Sequence, residues 1–219
     1  GTTGDPKGVV YSHRSIYLHS IIVTTTMGMQ LSNADRMLAI VPMFHVMSWG
    51  LPYAAMMAGA TLVMPDRFLQ PEPLLAMMEA TKPTIAAAVP TIWQGVSALL
   101  DAKPQDITHL REVIVGGAAV PPSMIKKFDS YGVSIVHAWG MTETSPLGSV
   151  ARPPAGLETE DEKFPYRVTQ GRFPAPVQAR IIGDDGEPQP WDGEARGELE
   201  VSGPWITGAY FEPEGNVTD

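Results

Sequence analysis

Four short segments bring together side chains that could do chemistry. The first is Gly1-Thr2-Thr3-Gly4-Asp5-Pro6-Lys7-Gly8. Its glycines let the backbone lie close to a phosphate chain, its threonine hydroxyls add hydrogen-bonding groups, and Lys7 offers a point charge to an anionic oxygen. It is not a Walker A loop, which would end Gly-Lys-Ser/Thr directly before a helix. A phosphate cradle and a plain flexible turn both fit the octapeptide. The second segment, His137-Ala138-Trp139-Gly140-Met141-Thr142-Glu143-Thr144, follows an apolar run that reads as a strand. Trp139 has a flat face for a purine, Thr142 a hydroxyl, and Glu143 a hard oxygen suited to Mg²⁺. A core tryptophan followed by a helix cap is the other reading.

The third segment, Pro42-Met43-Phe44-His45-Val46-Met47-Ser48-Trp49-Gly50, places His45 and Trp49 either at the mouth of an apolar pocket or in the core. No second His or acid stands at ligand spacing from His45, which argues against a metal there. The fourth, Val115-Gly116-Gly117-Ala118-Ala119-Val120-Pro121, runs from a strand into small residues, as where backbone lies flat against a ligand or where a helix packs tightly on a sheet. Gly-x-Ser-x-Gly is absent, and the serines near histidines, Ser12 and Ser48, have no evident orienting acid, so hydrolysis through a serine nucleophile is disfavoured.

These segments need a scaffold, and the chain has the material for one: 219 residues, 44% hydrophobic and 18% charged. That composition excludes disordered and fibrous classes. The lack of cysteine removes disulfides, cysteine-ligated zinc, iron–sulfur clusters and thiol nucleophiles. No apolar run reaches the roughly 20 residues that span a bilayer. The net charge of −9 lies mostly after residue 150: residues 1–150 hold ten acids and nine bases, residues 151–219 fourteen and six. Such a chain lacks the basic footprint of a nucleic-acid binder.

Apolar runs at 37–41, 60–64, 84–89, 113–115 and 133–137 read as buried strands, and helical stretches are expected from Ser12 or Ser15 to Met27 and at 46–58, 72–80, 91–100 and 122–131. Alternation at that interval predicts an α/β fold with a mainly parallel sheet covered by helices and ligands at the carboxyl ends of the strands. A Pro/Glu-rich connector at 151–165 leads to a small antiparallel β subdomain from 166, with strands at 177–182 and 198–202 around the turn Gly183-Asp184-Asp185-Gly186. Residues 1–150 form the first domain in this reading. Both ends look like cuts through a longer protein, since Gly1 opens inside a glycine-rich loop and Asn216–Asp219 is a polar turn.

Together and in this order, GTTGDPKG running into VVYSHR, GGAAVP, HAWGMTET and GELEVSGPWITGAYF resemble the adenylate-forming superfamily of acyl-CoA synthetases, luciferases and peptide-synthetase adenylation domains. VVYSHRS with LHS, PMFHVMSWGLPYAA and GPWITGAYF are most similar to bacterial medium- and long-chain fatty-acyl-CoA synthetases. The resemblance implies a ligase that joins a fatty acid to ATP as acyl-AMP and then to CoA, with Mg²⁺. It implies that Thr2, Thr3, Gly4 and Lys7 cradle the β- and γ-phosphates, that Thr142 bonds the α-phosphate and that Glu143 ligates magnesium. His137, Ala138 and Trp139 would form the adenine-facing strand end, with Gly117 against the purine. His45 and Val46 would sit beside the carboxylate, and Trp49 would gate the acyl tunnel. The family's usual tyrosine is Trp139 here, so any contact of the phenolic hydroxyl is lost.

Methionines at Met43, Met47, Met56 and Met57 suit a pocket for flexible alkyl chains, and equally suit ordinary core filling. A ligase for another carboxylate, such as a short thioether or aryl acid, a peptide-synthetase module and a non-catalytic nucleotide binder remain alternatives. The resemblance further implies a missing first subdomain and a missing C-terminal lid with its lysine, so this piece alone is expected to make no acyl-CoA. A cytoplasmic location, at most peripheral to a membrane, is expected, and a homodimer is compatible.

Overall fold

A computed structural model describes residues 7–211. The elements in chain order are β1 (Gly8–Val9), α1 (His13–Thr24), β2 (Arg36–Ala39), the short turn α2 (Val46–Trp49), α3 (Leu51–Ala58), β3 (Thr61–Val63), α4 (Pro71–Thr81), β4 (Ile85–Ala88), α5 (Pro90–Ala102), β5 (Glu112–Val115), α6 (Pro122–Ser130), β6 (Ser134–Gly140), β7 (Leu147–Val150), α7 (Glu160–Arg167), β8 (Gln178–Ile182), β9 (Glu198–Ser202) and β10 (Tyr210–Phe211). Six strands form one sheet in the order β3-β2-β4-β5-β6-β7, parallel from β3 to β6 and closed by antiparallel β7. This is the α/β arrangement that the spacing of apolar runs predicts. Two-stranded antiparallel ribbons, β8-β9 and β1-β10, complete it.

The sheet works because its strands are apolar on both faces. In β4, Ala86 and Ala88 point to one core with Leu38, Val113 and Ile135, while Ile85 and Ala87 point to the other with Met37, Ile114 and Val136. This is the two-residue alternation of strands, and the small alanines let helices approach closely. The first core is filled by α4, α5 and α6, each started by proline at its first turn. Here the Trp93 and Phe128 rings meet edge to face at 5.7 Å. The second core is covered by α1 and α3 through Val23, Leu51, Ala54 and Ala55.

Ser12 caps α1, its side chain accepting from the Ser15 N–H at 3.0 Å. The helix stops at Thr24 rather than reaching Met27. The Thr24 and Thr25 hydroxyls take the carbonyls of Ile21 and Ile22, and the Met29 N–H folds back onto the Val23 carbonyl at 2.7 Å. The stretch 46–58 is also not one helix. Val46, Met47, Ser48 and Trp49 have φ between 47° and 55°, a left-handed turn, and the right-handed helix begins only at Leu51 after Gly50. Such backbone costs about 1–2 kcal/mol per residue for L-amino acids. Fully buried Ser48 ties it down by donating its hydroxyl to the Val41 carbonyl at 2.5 Å.

At the amino ends of the parallel strands, charges neutralise one another. Asp35 accepts from Ser32 N–H, the Thr84 hydroxyl and Arg111, the last two at 2.7 and 2.6 Å. Burial alone would raise its pKa, but those hydrogen bonds and the Arg111 charge hold it below the ordinary aspartate value. Glu112 is gripped by both terminal nitrogens of Arg152, at 3.0 and 2.9 Å, and Arg152 also bonds the Gly28 carbonyl. A helix, α7, lies across the junction at 151–165, started by a capping box of Thr159 and Glu162. Its Arg167 makes a two-nitrogen pair with Asp129 of α6. No helix among the described residues is long and apolar enough to cross a membrane.

Candidate functional site

The carboxyl ends of β2, β5 and β6 open on a cavity of about 530 Å³. Its apolar lining comes from α1, the loop behind it and the sheet: Val23, Met29, Ile114, Leu147 and Val150. Its polar lining comes from the strand ends and the β1-β10 ribbon: Lys7, His45, Thr142, Glu143 and Tyr210, with His19 from α1. One space therefore joins a greasy wall to a cationic nitrogen and a carboxylate.

The expected site residues from Lys7 onward each have a definite place. Thr2, Thr3 and Gly4 lie outside the described residues. Lys7 is exposed at the cavity, its ammonium 4.7 Å from the Tyr210 ring centre. Thr142 and Glu143 lie in a short 3-10 turn after β6. Gly117, Ala138, Trp139, His45, Val46 and Trp49 all line the same cavity. The left-handed turn delivers the Trp49 indole onto the backbone of Gly116. A Cβ at Gly116 would stand 2.8 Å from the Ala138 carbonyl oxygen and 3.5 Å from that indole, so only glycine lets the strand end lie flat here. Trp139 is half-buried, packed over Gly148, where any Cβ would collide with the indole, and edge to face with Phe173 at 6.3 Å. His137 differs from its neighbours. Its ring is 2% exposed and its nitrogens have no hydrogen-bond partner among the described residues, and burial holds its pKa below the ordinary histidine value. Ala138 and Trp139, not the His137 ring, face the cavity.

His19 is also buried, at 1%, and its Nε2 accepts from the Leu147 N–H at 3.2 Å. Burial lowers its pKa to about 4, so at neutral pH it is an uncharged wall of the cavity. Two further residues went unnoticed in the sequence. Tyr11 donates its hydroxyl to the Thr142 carbonyl at 2.6 Å, and Tyr210 donates to Glu143 Oε1 at 2.7 Å. Burial, with the Glu143 charge second, raises the Tyr11 pKa to about 12. For Tyr210 the hydrogen bond to Glu143 raises it first, then that residue's charge. Tyr210 lies within the GPWITGAYF stretch, but nothing in its spacing points to a partner at Glu143. The link is made by β1 pairing with β10, Val9 opposite Tyr210.

Among the described residues no group of three or more His, Cys, Asp or Glu side chains could hold a metal by itself. The Glu143 carboxylate nevertheless suits magnesium, which commonly takes one or two carboxylates and completes its shell with waters and substrate phosphates. The cavity has room for such phosphates beside Lys7.

Known proteins resemble this chain over nearly its whole length. The chain is 46% identical over 215 residues to 3-methylmercaptopropionyl-CoA ligase of Ruegeria pomeroyi, covering 97% of this chain and 40% of that protein. It is 43% identical over 221 residues to medium-chain-fatty-acid–CoA ligase of Ectopseudomonas oleovorans, covering 100% and 40%. The chain thus spans less than half the length of the curated relatives it matches. Among solved structures, a long-chain-fatty-acid-CoA ligase from Archaeoglobus fulgidus superimposes with a TM-score of 0.84 at 24% identity over 98% of this chain and 43% of that one. The o-succinylbenzoate coenzyme A synthetase of Bacillus subtilis in complex with ATP and magnesium gives 0.80 at 24% identity over 98% and 42%. At that identity these two speak for the fold alone. The model sequence of the AMP-binding enzyme family matches residues 1–211, from the glycine-rich opening through β10. With so little of the chain left outside that match, the chain belongs to the AMP-binding enzyme family.

Proposed function

We propose that the complete protein activates a fatty acid with ATP as the acyl-adenylate and transfers the acyl group to CoA. The observation that carries this reading is the single cavity in which Val23, Met29, Ile114, Leu147 and Val150 offer an apolar bed while Lys7, Thr142 and Glu143 gather at the strand ends. In the first step a carboxylate oxygen bonds to the α-phosphorus and pyrophosphate leaves. In the second the CoA sulfur bonds to the acyl carbon, AMP leaves, and the thiol proton is released. Residues 1–150 are the nucleotide- and acyl-binding part of this arrangement.

The chain's own groups supply position and charge. Gly117 allows a purine to lie against backbone, and the Trp139 face can stack on it. The Lys7 ammonium offsets phosphate charge, as does the Thr142 hydroxyl by hydrogen bonding at the α-phosphate. The resemblance assigns Thr2, Thr3 and Gly4, with Lys7, to the β- and γ-phosphates. Magnesium, held by Glu143, would neutralise charge on the phosphate oxygens. Trp49, seated between the apolar lining and the glycine strand end, divides the acyl space from the nucleotide space, with His45 and Val46 at the junction.

The relatives' names favour one second reading. The 46%-identical relative is a ligase for 3-methylmercaptopropionate, so a short thioether acid is the competing substrate. Carboxylate-dependent ATP–pyrophosphate exchange by the complete protein separates the two, using fatty acids from short to long, a thioether acid and an aryl acid. Exchange with medium or long chains supports the fatty-acid reading. Exchange confined to the thioether or aryl acid replaces the substrate and keeps the chemistry, and no exchange with any acid rejects adenylation.

A further inference from the structure

The two carboxylate oxygens of Glu143 are in different situations. Oε1 receives the Tyr210 hydroxyl at 2.7 Å, whereas Oε2 takes no protein hydrogen bond among the described residues. The same C-terminal stretch also holds the Glu143 backbone, because the Thr207 N–H donates to its carbonyl at 2.8 Å. From the other side, Tyr11 anchors the preceding Thr142 carbonyl. The Tyr210 ring is itself fixed, by the register Val9↔Tyr210 and by the Lys7 ammonium at its face. A side chain placed so deliberately on a single carboxylate oxygen leaves one oxygen to bind. Magnesium asks for little more from a protein, keeping waters and phosphate oxygens for the rest of its shell.

We infer that Tyr210 is a positioning residue for the divalent cation. By holding Oε1 it fixes the rotation of the Glu143 carboxylate and leaves Oε2 as its one coordinating oxygen. Outer-sphere partners of this kind commonly change metal affinity by about 10- to 100-fold when removed. The inference rests on the proposed metal role of Glu143. It adds that the stretch around β10, far from Glu143 in sequence, sets how that residue binds. It also gives one ring two tasks, since the face of Tyr210 seats Lys7 while its hydroxyl holds Glu143.

The test uses the complete protein with Mn²⁺ as the probe, titrated by electron paramagnetic resonance at a fixed concentration of a non-hydrolysable ATP analogue. Tyr210→Phe keeps the ring and its contact with Lys7 and removes only the hydroxyl. It is expected to weaken Mn²⁺ in the ternary complex by about tenfold and to raise the KM for magnesium, leaving the KM for the carboxylic acid unchanged. In a Glu143→Gln background the same substitution is expected to add nothing. Wild-type Mn²⁺ affinity in Tyr210→Phe, alongside weakened binding in Glu143→Gln, would overturn the positioning role while sparing the metal role of Glu143. Unchanged Mn²⁺ binding in Glu143→Gln would overturn both. Weakened binding accompanied by a lower unfolding midpoint without metal would assign the loss to folding and reject the inference.

Discussion

The two ends of the parallel sheet use charge in opposite ways. At the amino ends Asp35, Arg111, Glu112 and Arg152 spend their hydrogen-bonding capacity on one another and on backbone carbonyls. At the carboxyl ends Lys7 rests against an aromatic face, and Glu143 shares one oxygen with a tyrosine and faces an open cavity. Both ends are polar, but among the described residues Asp35 and Glu112 have partners on both carboxylate oxygens, whereas Glu143 has one on Oε1 alone. Charged residues therefore mark a binding site by what they leave unsatisfied, more than by their number.

Substitutions at the two ends should therefore fail in different assays. The largest effect is expected from Glu143→Ala, a loss of about 10³ in pyrophosphate exchange by the complete protein with an unchanged unfolding midpoint. A midpoint that falls with the activity would erase the distinction between the ends. Glu112→Gln is expected to do the reverse. Removing one member of a buried pair costs about 3 kcal/mol, read as a shift in urea unfolding, while the KM for ATP stays at its wild-type value.

His19 sharpens the comparison, because it belongs to the cavity wall yet acts in stability. Its pKa of about 4 in the folded chain lies below the unfolded value of roughly 6.5. The unfolded state therefore binds the extra proton first. The stability due to neutral His19 is complete above the unfolded pKa and is lost as pH falls towards the folded one. Unfolding measured from pH 7 to 4 should show this slope, and His19→Gln should flatten it. The smallest effect is expected from Trp139→Tyr. The aromatic face is retained, so nucleotide affinity by calorimetry should change by less than about threefold, and a larger change would show that the indole does more than stack.

Much of the fold is legible in the sequence because β2 to β6 are continuous apolar runs punctuated by Gly and Pro. What escaped has physical reasons. The strand β7 is Leu-Gly-Ser-Val, too short and too small for a pattern, and its place in the sheet comes from pairing with β6. Helix α7 carries an internal proline and a polar, acidic first turn, so its composition resembles a connector. The periodicity of 46–58 has no sensitivity to handedness, and the left-handed turn at Val46–Trp49 stayed hidden within it. At the site, Lys7 and the segments that follow β2, β5 and β6 line one cavity, since each of those three segments leaves a strand of one sheet at the same edge. Burial of the His137 ring behind Ala138 was not legible, because strand register decides which neighbour faces the cavity. Tyr11 and Tyr210 were not legible because both act across long stretches of chain.

The β1-β10 ribbon also bears on how the molecule assembles. It consists of two residue pairs, one of which joins Gly8 to Phe211, so the loop it closes spans nearly the whole described chain. Contacts of such sequence separation carry a large loop-closure entropy and slow folding, and a ribbon this short has little to offset it. The pairing should form late, and its amide hydrogens should exchange ahead of those of the sheet. Because Lys7 and Tyr210 ride on that ribbon, a bound nucleotide would slow this exchange by mass action, making the final folding event and the first binding event the same closure.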